Sequence, residues 1–152
     1  MANLCLIPNE GKDYSIIIPY KNASISELIK TMVEDDSEND DLIEIPLLNV
    51  NHEMLILIIN FFNYYIDNNF EKIQSPIIHD KFEKNIIFEN EENINSKRIW
   101  FAEFINLKVD KLIDLTNASN YLDIPPLLNL CCGKIAFLVK DLTPDEIKNL
   151  FN

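Results

Sequence analysis

Glycine is nearly missing from this chain: two occur among 152 residues. A phosphate-cradling loop needs several glycines within a few positions so that backbone amides can approach the anion, and such loops are excluded. Histidine is as scarce, with only His52 and His79. Neither has a second ligand at metal-binding spacing, and no nucleophile–base–orienter set can be assembled from the two. No catalytic, metal-binding or cofactor-binding residue is therefore assigned. The reading is of a protein that is not an enzyme and takes no small-molecule substrate.

Cysteine is limited to Cys5, Cys131 and Cys132, an odd number with two adjacent, which gives no disulfide framework. The opening residues lack a basic, apolar secretory pattern, so an intracellular, reducing setting is the expectation. On a helix, Cys131 and Cys132 point to different sides and cannot chelate together as a C-x-x-C pair would; they read as small hydrophobes, one for each of two faces. Positive charge is short as well. Thirteen basic residues stand against 25 acidic ones, a net of −12. That balance repels nucleic acid and anionic membrane and favours a basic protein partner. The longest apolar run, from Met54, is interrupted by Asn60 and Asn63 and is too short and polar to span a bilayer. Asp36, Glu38 and Asp40 alternate like the start of a calcium loop, yet the sixth position is Asp41 rather than Gly and the twelfth is Leu47 rather than Glu. The stretch reads as a solvated charged loop.

What is present is enough apolar residue, 47% of the chain, for one domain or one domain with a helical extension. "NLCLIP" and "YSIIIP" read as strands of a hairpin around "NEGKD". "NASISELIKTMVED" reads as a helix with Ser24 and Glu27 in capping-box spacing. "LIEIPL" is a third strand, and "NHEMLILIINFFNYYI" a helix apolar on most sides. Residues 66–98 scatter Ile and Phe among Asn, Glu and Lys and are expected to form a poorly ordered insertion. From Ile99 the chain reads as consecutive helices. The fold class is α/β: a small three-stranded sheet capped by helices, neither doubly wound nor a barrel.

The helix faces carry the functional signal. In the helix from Lys108 to Leu122, residues Val109, Leu112, Leu115, Thr116, Ser119 and Leu122 share a core arc, while Ile113, Asn117, Asn120 and Tyr121 lie on the other side. The following helix has surplus apolar surface. Leu127, Cys131 and Leu138 form one stripe; Leu128, Cys132, Ile135 and Val139 form a second; Leu130 and Phe137 form a third, with Lys134 apart. One stripe packs on the domain and at least one is left for a partner. In the last helix Thr143 is the cap, Pro144 opens the first turn, and Ile147, Leu150 and Phe151 line one side.

These stretches carry a resemblance. "PLLNV" from Pro46, "IKTMVED" from Ile29, "ASNYLDIPPLL" from Ala118 and "TPDEIK" from Thr143 resemble motifs of the S-phase kinase-associated protein 1 family, adaptors of SCF ubiquitin ligases with a BTB/POZ fold and added C-terminal helices. The resemblance covers most of the chain except roughly residues 66–98. It implies a BTB/POZ N-terminal half over 1–65, BTB/POZ C-terminal helices over 99–123 and F-box-binding helices over 124–152. It further implies F-box contacts at Ile113, Leu128, Cys132, Ile135, Val139, Ile147, Leu150 and Phe151, cullin contacts at Asn120 and Tyr121, and work in cytoplasm and nucleus. In some unicellular eukaryotes the proline matching Pro144 is hydroxylated and glycosylated, which makes it a modification candidate. The family continues past this point into a further helix and an acidic, Trp-bearing tail; whether the end at Asn152 is a trimmed sequence or a genuine loss, the remaining helices are expected to hold an F-box more weakly or with a compensating contact. Elongin C shares the fold and a similar "A-N-x-L-D" helix end, but stops shortly after it. An elongin-C-like or other BTB/POZ oligomerisation module is the alternative.

Overall fold

Gly11 stands at φ 107°, a backbone region that L side chains rarely adopt, with nothing near its missing Cβ. Conformation, and not crowding, is what asks for glycine here. It turns the chain between β1 (Asn3–Ile7) and β2 (Ile16–Pro19), through a 3₁₀ turn at Lys12–Tyr14. The computed structural model describes residues 3–35 and 41–152. They divide into two units, the described residues up to 67 with 117–125, and 68–116 with 126–152.

In the first unit β1 pairs antiparallel with β2, Cys5 facing Ile17, and parallel with β3 (Leu42–Pro46), Cys5 facing Glu44. The strand order β2-β1-β3 makes β1 central, and Leu4, Cys5 and Leu6 are all buried. At the edge, β3 alternates: Ile43 and Ile45 are buried while Leu42, Glu44 and Pro46 are exposed. The sheet matches the expected three strands.

Helices α1 (Tyr20–Ala23), α2 (Glu27–Asp35) and α3 (His52–Tyr65) join the sheet in this unit, together with residues 117–125. The capping box expected at Ser24 and Glu27 is corrected. Ser24 belongs to the end of α1, where its hydroxyl donates to Lys21 O. Ser26, fully buried, starts α2: its Oγ accepts from Ile29 N at 3.2 Å and donates to Leu122 O at 2.6 Å. For α3, Asn51 Oδ1 accepts from Met54 N at 2.8 Å, and the Glu10 carboxylate accepts from His52 N at 2.8 and 3.0 Å. Met54, Leu55, Ile58, Ile59, Phe61 and Phe62 bury most of its girth, as expected. Asp36, Glu38 and Asp40, read as a charged loop, lie outside the described residues.

The second unit corrects the largest expectation. Residues 66–98 are not a poorly ordered insertion: β4 (Lys72–Ile73) pairs antiparallel with β5 (Ile86–Ile87), joined through a 3₁₀ turn at Phe82–Asn85. Two physical reasons stand out. Phe70, Phe82, Ile86 and Phe88 are buried, and Phe70 meets the Phe101 ring edge-to-face at 5.0 Å. Asn85, also buried, accepts from Ile78 N and His79 N and donates to Lys81 O and Phe82 O. One amide thus satisfies a turn's worth of backbone. Three helices follow, α4 (Ile94–Phe104), α5 (Val109–Tyr121) and α6 (Pro125–Val139), and then α7 (Pro144–Leu150). The division into units breaks after Asp67, Thr116 and Pro125, the second of these inside α5.

Candidate interaction surfaces

The end of α5 is shaped by Asp123, a non-glycine residue at φ 52°. Its amide bonds Asn120 O at 3.2 Å and the Ile124 amide bonds Ser119 O at 3.0 Å, closing the helix in a left-handed cap. The same turn returns to α2, where Glu27 N donates to Asp123 O at 2.9 Å. With Leu112, Leu115, Ala118, Ser119 and Leu122 buried, Asn120 and Tyr121 are left exposed, Tyr121 at 37%. Both open onto a shallow cleft of about 520 Å³ shared with Glu27, Leu28, Thr31 and Asp123. Its two carboxylates give it a negative rim.

On α6 the stripes separate in part: Leu138, expected with Leu127 and Cys131, is half-buried, while Leu130 of the third stripe is buried. Leu127, Leu130 and Cys131 are buried, whereas Leu128, Ile135 and Val139 are half-buried and Cys132 is exposed. Cys131 packs inward and Cys132 faces out, one thiol for each face. Ile113 of α5 and Ile147, Leu150 and Phe151 at α7 are likewise half-buried. A capping box holds α7 at its start: Thr143 Oγ1 accepts from Glu146 N at 3.2 Å and the Glu146 carboxylate accepts from Thr143 N. Pro144 is exposed at the first position of that helix.

Lys134 departs from expectation. Instead of standing apart it is 9% exposed, its Nζ 5.2 Å from the Phe82 ring centre and 5.3 Å from that of Phe137. Those rings meet edge-to-face at 5.6 Å. Burial pushes the Lys134 ammonium below the usual lysine range, against the opposing pull of Glu83. Sequence spacing also missed Gly133. Its position lies so near Ile73 that an added Cβ would be 2.6 Å from Cγ2. The insertion is therefore seated on α6. A lone glycine in an apolar helix was the available signal, since it costs helix stability unless a close approach demands it.

No group of three metal-ligating side chains exists among the described residues, and no described helix is long and apolar enough to cross a membrane.

Comparison with known proteins decides the family. Residues 9–67 match the description "Skp1 family, tetramerisation domain", and residues 125–152 match "Skp1 family, dimerisation domain". The S-phase kinase-associated protein 1 homolog of Tetrahymena thermophila is 34% identical over 131 residues, covering 86% of this chain and 70% of that protein. The chain belongs to the Skp1 family. SKP1-like protein 11 of Arabidopsis thaliana is 34% identical over 150 residues, covering 98% and 82% of the two chains. The SCF ubiquitin ligase complex protein SKP1a of Dictyostelium discoideum is 29% identical over 150 residues, covering 98% and 84%. The three-stranded sheet with its helices is thus the Skp1 POZ fold. The second Skp1 match spans α6 and α7, the helices whose apolar stripes remain accessible.

Proposed function

We propose that this chain is a non-catalytic adaptor of an SCF-type ubiquitin ligase, bridging a cullin scaffold to F-box substrate receptors. The observation that carries the reading is the stripe Leu128, Cys132, Ile135 and Val139, accessible on a helix whose Leu127, Leu130 and Cys131 already fill the core. Apolar surface left over once a core is complete is what the centre of a protein interface uses. Ile113 and the α7 residues Ile147, Leu150 and Phe151 add half-buried apolar surface of the same kind. Family membership, and the name of the Dictyostelium relative, support the same assignment.

For the cullin, the reading takes the exposed Asn120 and Tyr121. An exposed Tyr is the residue type that interfaces favour, and the carboxylates of Glu27 and Asp123 beside it suit a basic partner surface. The adaptor contributes binding surfaces and no chemistry of its own. F-box capture buries the α6 stripe, and cullin capture uses the polar, acidic one.

The test is capture of a recombinant F-box domain and of a cullin N-terminal fragment by the full chain. Ile135→Asp forces a carboxylate into an apolar interface and is expected to weaken F-box capture more than tenfold. Tyr121→Lys is expected to remove cullin capture and leave F-box capture intact, with unchanged far-UV circular dichroism in both variants. Full F-box binding by Ile135→Asp overturns the assignment. A stable homodimer that neither partner disrupts would favour an oligomerisation module instead.

A further inference from the structure

Beside the α6 stripe lies a groove of about 730 Å³, walled on one side by residues 72–77 and on the other by Asn129, Cys132, Ala136 and Lys140. Its walls are fixed to one another. Gly133 admits Ile73 onto the helix, and Lys134 and Phe137 clasp the Phe82 ring. Ile73, Pro76, Ile77 and Ala136 make its lining mainly apolar, and Lys72 and Lys140 line it as well. Among the described residues no Asp or Glu lines it, in a chain with 25 acidic residues and a net charge of −12. Lys72 is exposed, and Lys140 pairs with its exposed neighbour Asp141 at 3.3 Å and lies 5.6 Å from the Phe137 ring centre. Two lysines in a mainly apolar, carboxylate-free lining are complementary to a peptide that places a carboxylate beside an apolar side chain. Cys132 belongs both to this groove and to the stripe assigned to the F-box, so the two surfaces are continuous.

We propose that the groove extends the F-box-binding face and takes an acidic–apolar segment of the F-box protein, flanking its F-box. The proposal rests on the adaptor reading above. The insertion then acts as a second wall for the receptor, selecting among F-box proteins by what flanks the box. It would enlarge the contact beyond α6 and α7 alone.

The test is isothermal titration of the full chain with a recombinant F-box protein fragment that includes its flanking residues. Lys72→Glu is expected to raise Kd roughly tenfold and to flatten its dependence on salt, because an ion pair becomes a repulsion. Ala136→Glu, at an exposed helical position, fills the groove with a carboxylate and is expected to weaken binding as much. A carboxylate-to-lysine change in the flanking segment should restore affinity for Lys72→Glu, a rescue that no folding defect could produce. Two results overturn the proposal. In one, Ile135→Asp loses the F-box fragment while Lys72→Glu and Ala136→Glu bind like wild type, so that the adaptor reading survives without the groove. In the other, the chain self-associates, Lys72→Glu makes it monomeric and F-box affinity is unchanged, which assigns the groove to a second copy. Failure of the wild type to bind any F-box fragment removes both readings together.

Discussion

Gly133→Ala asks whether the insertion is seated on α6. In a solvent-exposed helix this change would stabilise by about 1 kcal/mol, because alanine has the better helix propensity. Here the new Cβ would lie 2.6 Å from Ile73 Cγ2, well inside the 3.4 Å where ordinary contact begins. Ile73 has little room to yield. It is β-branched, with restricted χ1, and its backbone pairs with Ile86. Overpacking of this kind costs about 1–3 kcal/mol, so the expected net effect is a loss of about 0–2 kcal/mol. The net value alone is ambiguous, and the cycle with Ile73→Ala resolves it. The Ile73 Cβ lies 3.4 Å from the added methyl, so the clash disappears once the side chain is shortened. In the Ile73→Ala background, Gly133→Ala should stabilise by up to ~1 kcal/mol, giving a coupling of about 1–3 kcal/mol. Urea unfolding of the four proteins, with m-values compared, measures it. Additivity within about 0.3 kcal/mol would refute the close approach, and with it the fixed wall of the groove.

Three further outcomes are expected. Ser26→Ala removes a helix cap and leaves the Leu122 carbonyl buried without that donor, for a loss of about 1–3 kcal/mol in urea unfolding. Asn85→Ala strips Ile78 N and His79 N of their acceptor, and amide hydrogen exchange should speed up over residues 78–86 while α3 keeps its protection. The third concerns pH: the folded state holds the Lys134 proton less tightly than the unfolded chain, whose lysine stays near 10.5. Between the lowered folded pKa and 10.5 the unfolded state binds more protons, so stability rises with pH there and is lost again as pH falls. Relative to wild type, Lys134→Met should lack that alkaline rise in thermal melts at matched pH; an identical rise would show that Lys134 is not its source.

Helical period made both candidate surfaces legible. Spacing alone placed Asn120 and Tyr121 off the core of α5, and it separated Cys131 from Cys132 on α6, because a long helix with a buried face repeats its pattern several times. The N-terminus of α2 was harder. Ser24 and Ser26 are equally good local caps, and the choice of Ser26 comes from the Leu122 carbonyl, which local sequence does not contain. Residues 66–98 hid their order for a similar reason. β4 and β5 are two residues long, too short to show alternation, and the segment is held by Asn85 and by rings that meet Phe101 and Phe137 far along the chain. Lys134 looked like an interruption of an apolar helix because one of its two aromatic partners, Phe82, belongs to that same segment.

The bond from Ser26 to Leu122 spans 96 positions of the chain. During synthesis, the strands and α3 of the first unit leave the ribosome long before residues 117–125 exist outside it. At about 5–20 residues per second, the Ser26 hydroxyl is without its Leu122 acceptor for several seconds or more. Until then the buried face of α2 is incomplete, and a fragment ending at Asp67 would keep it so permanently. The first unit of this protein is thus finished only after most of the second has been made.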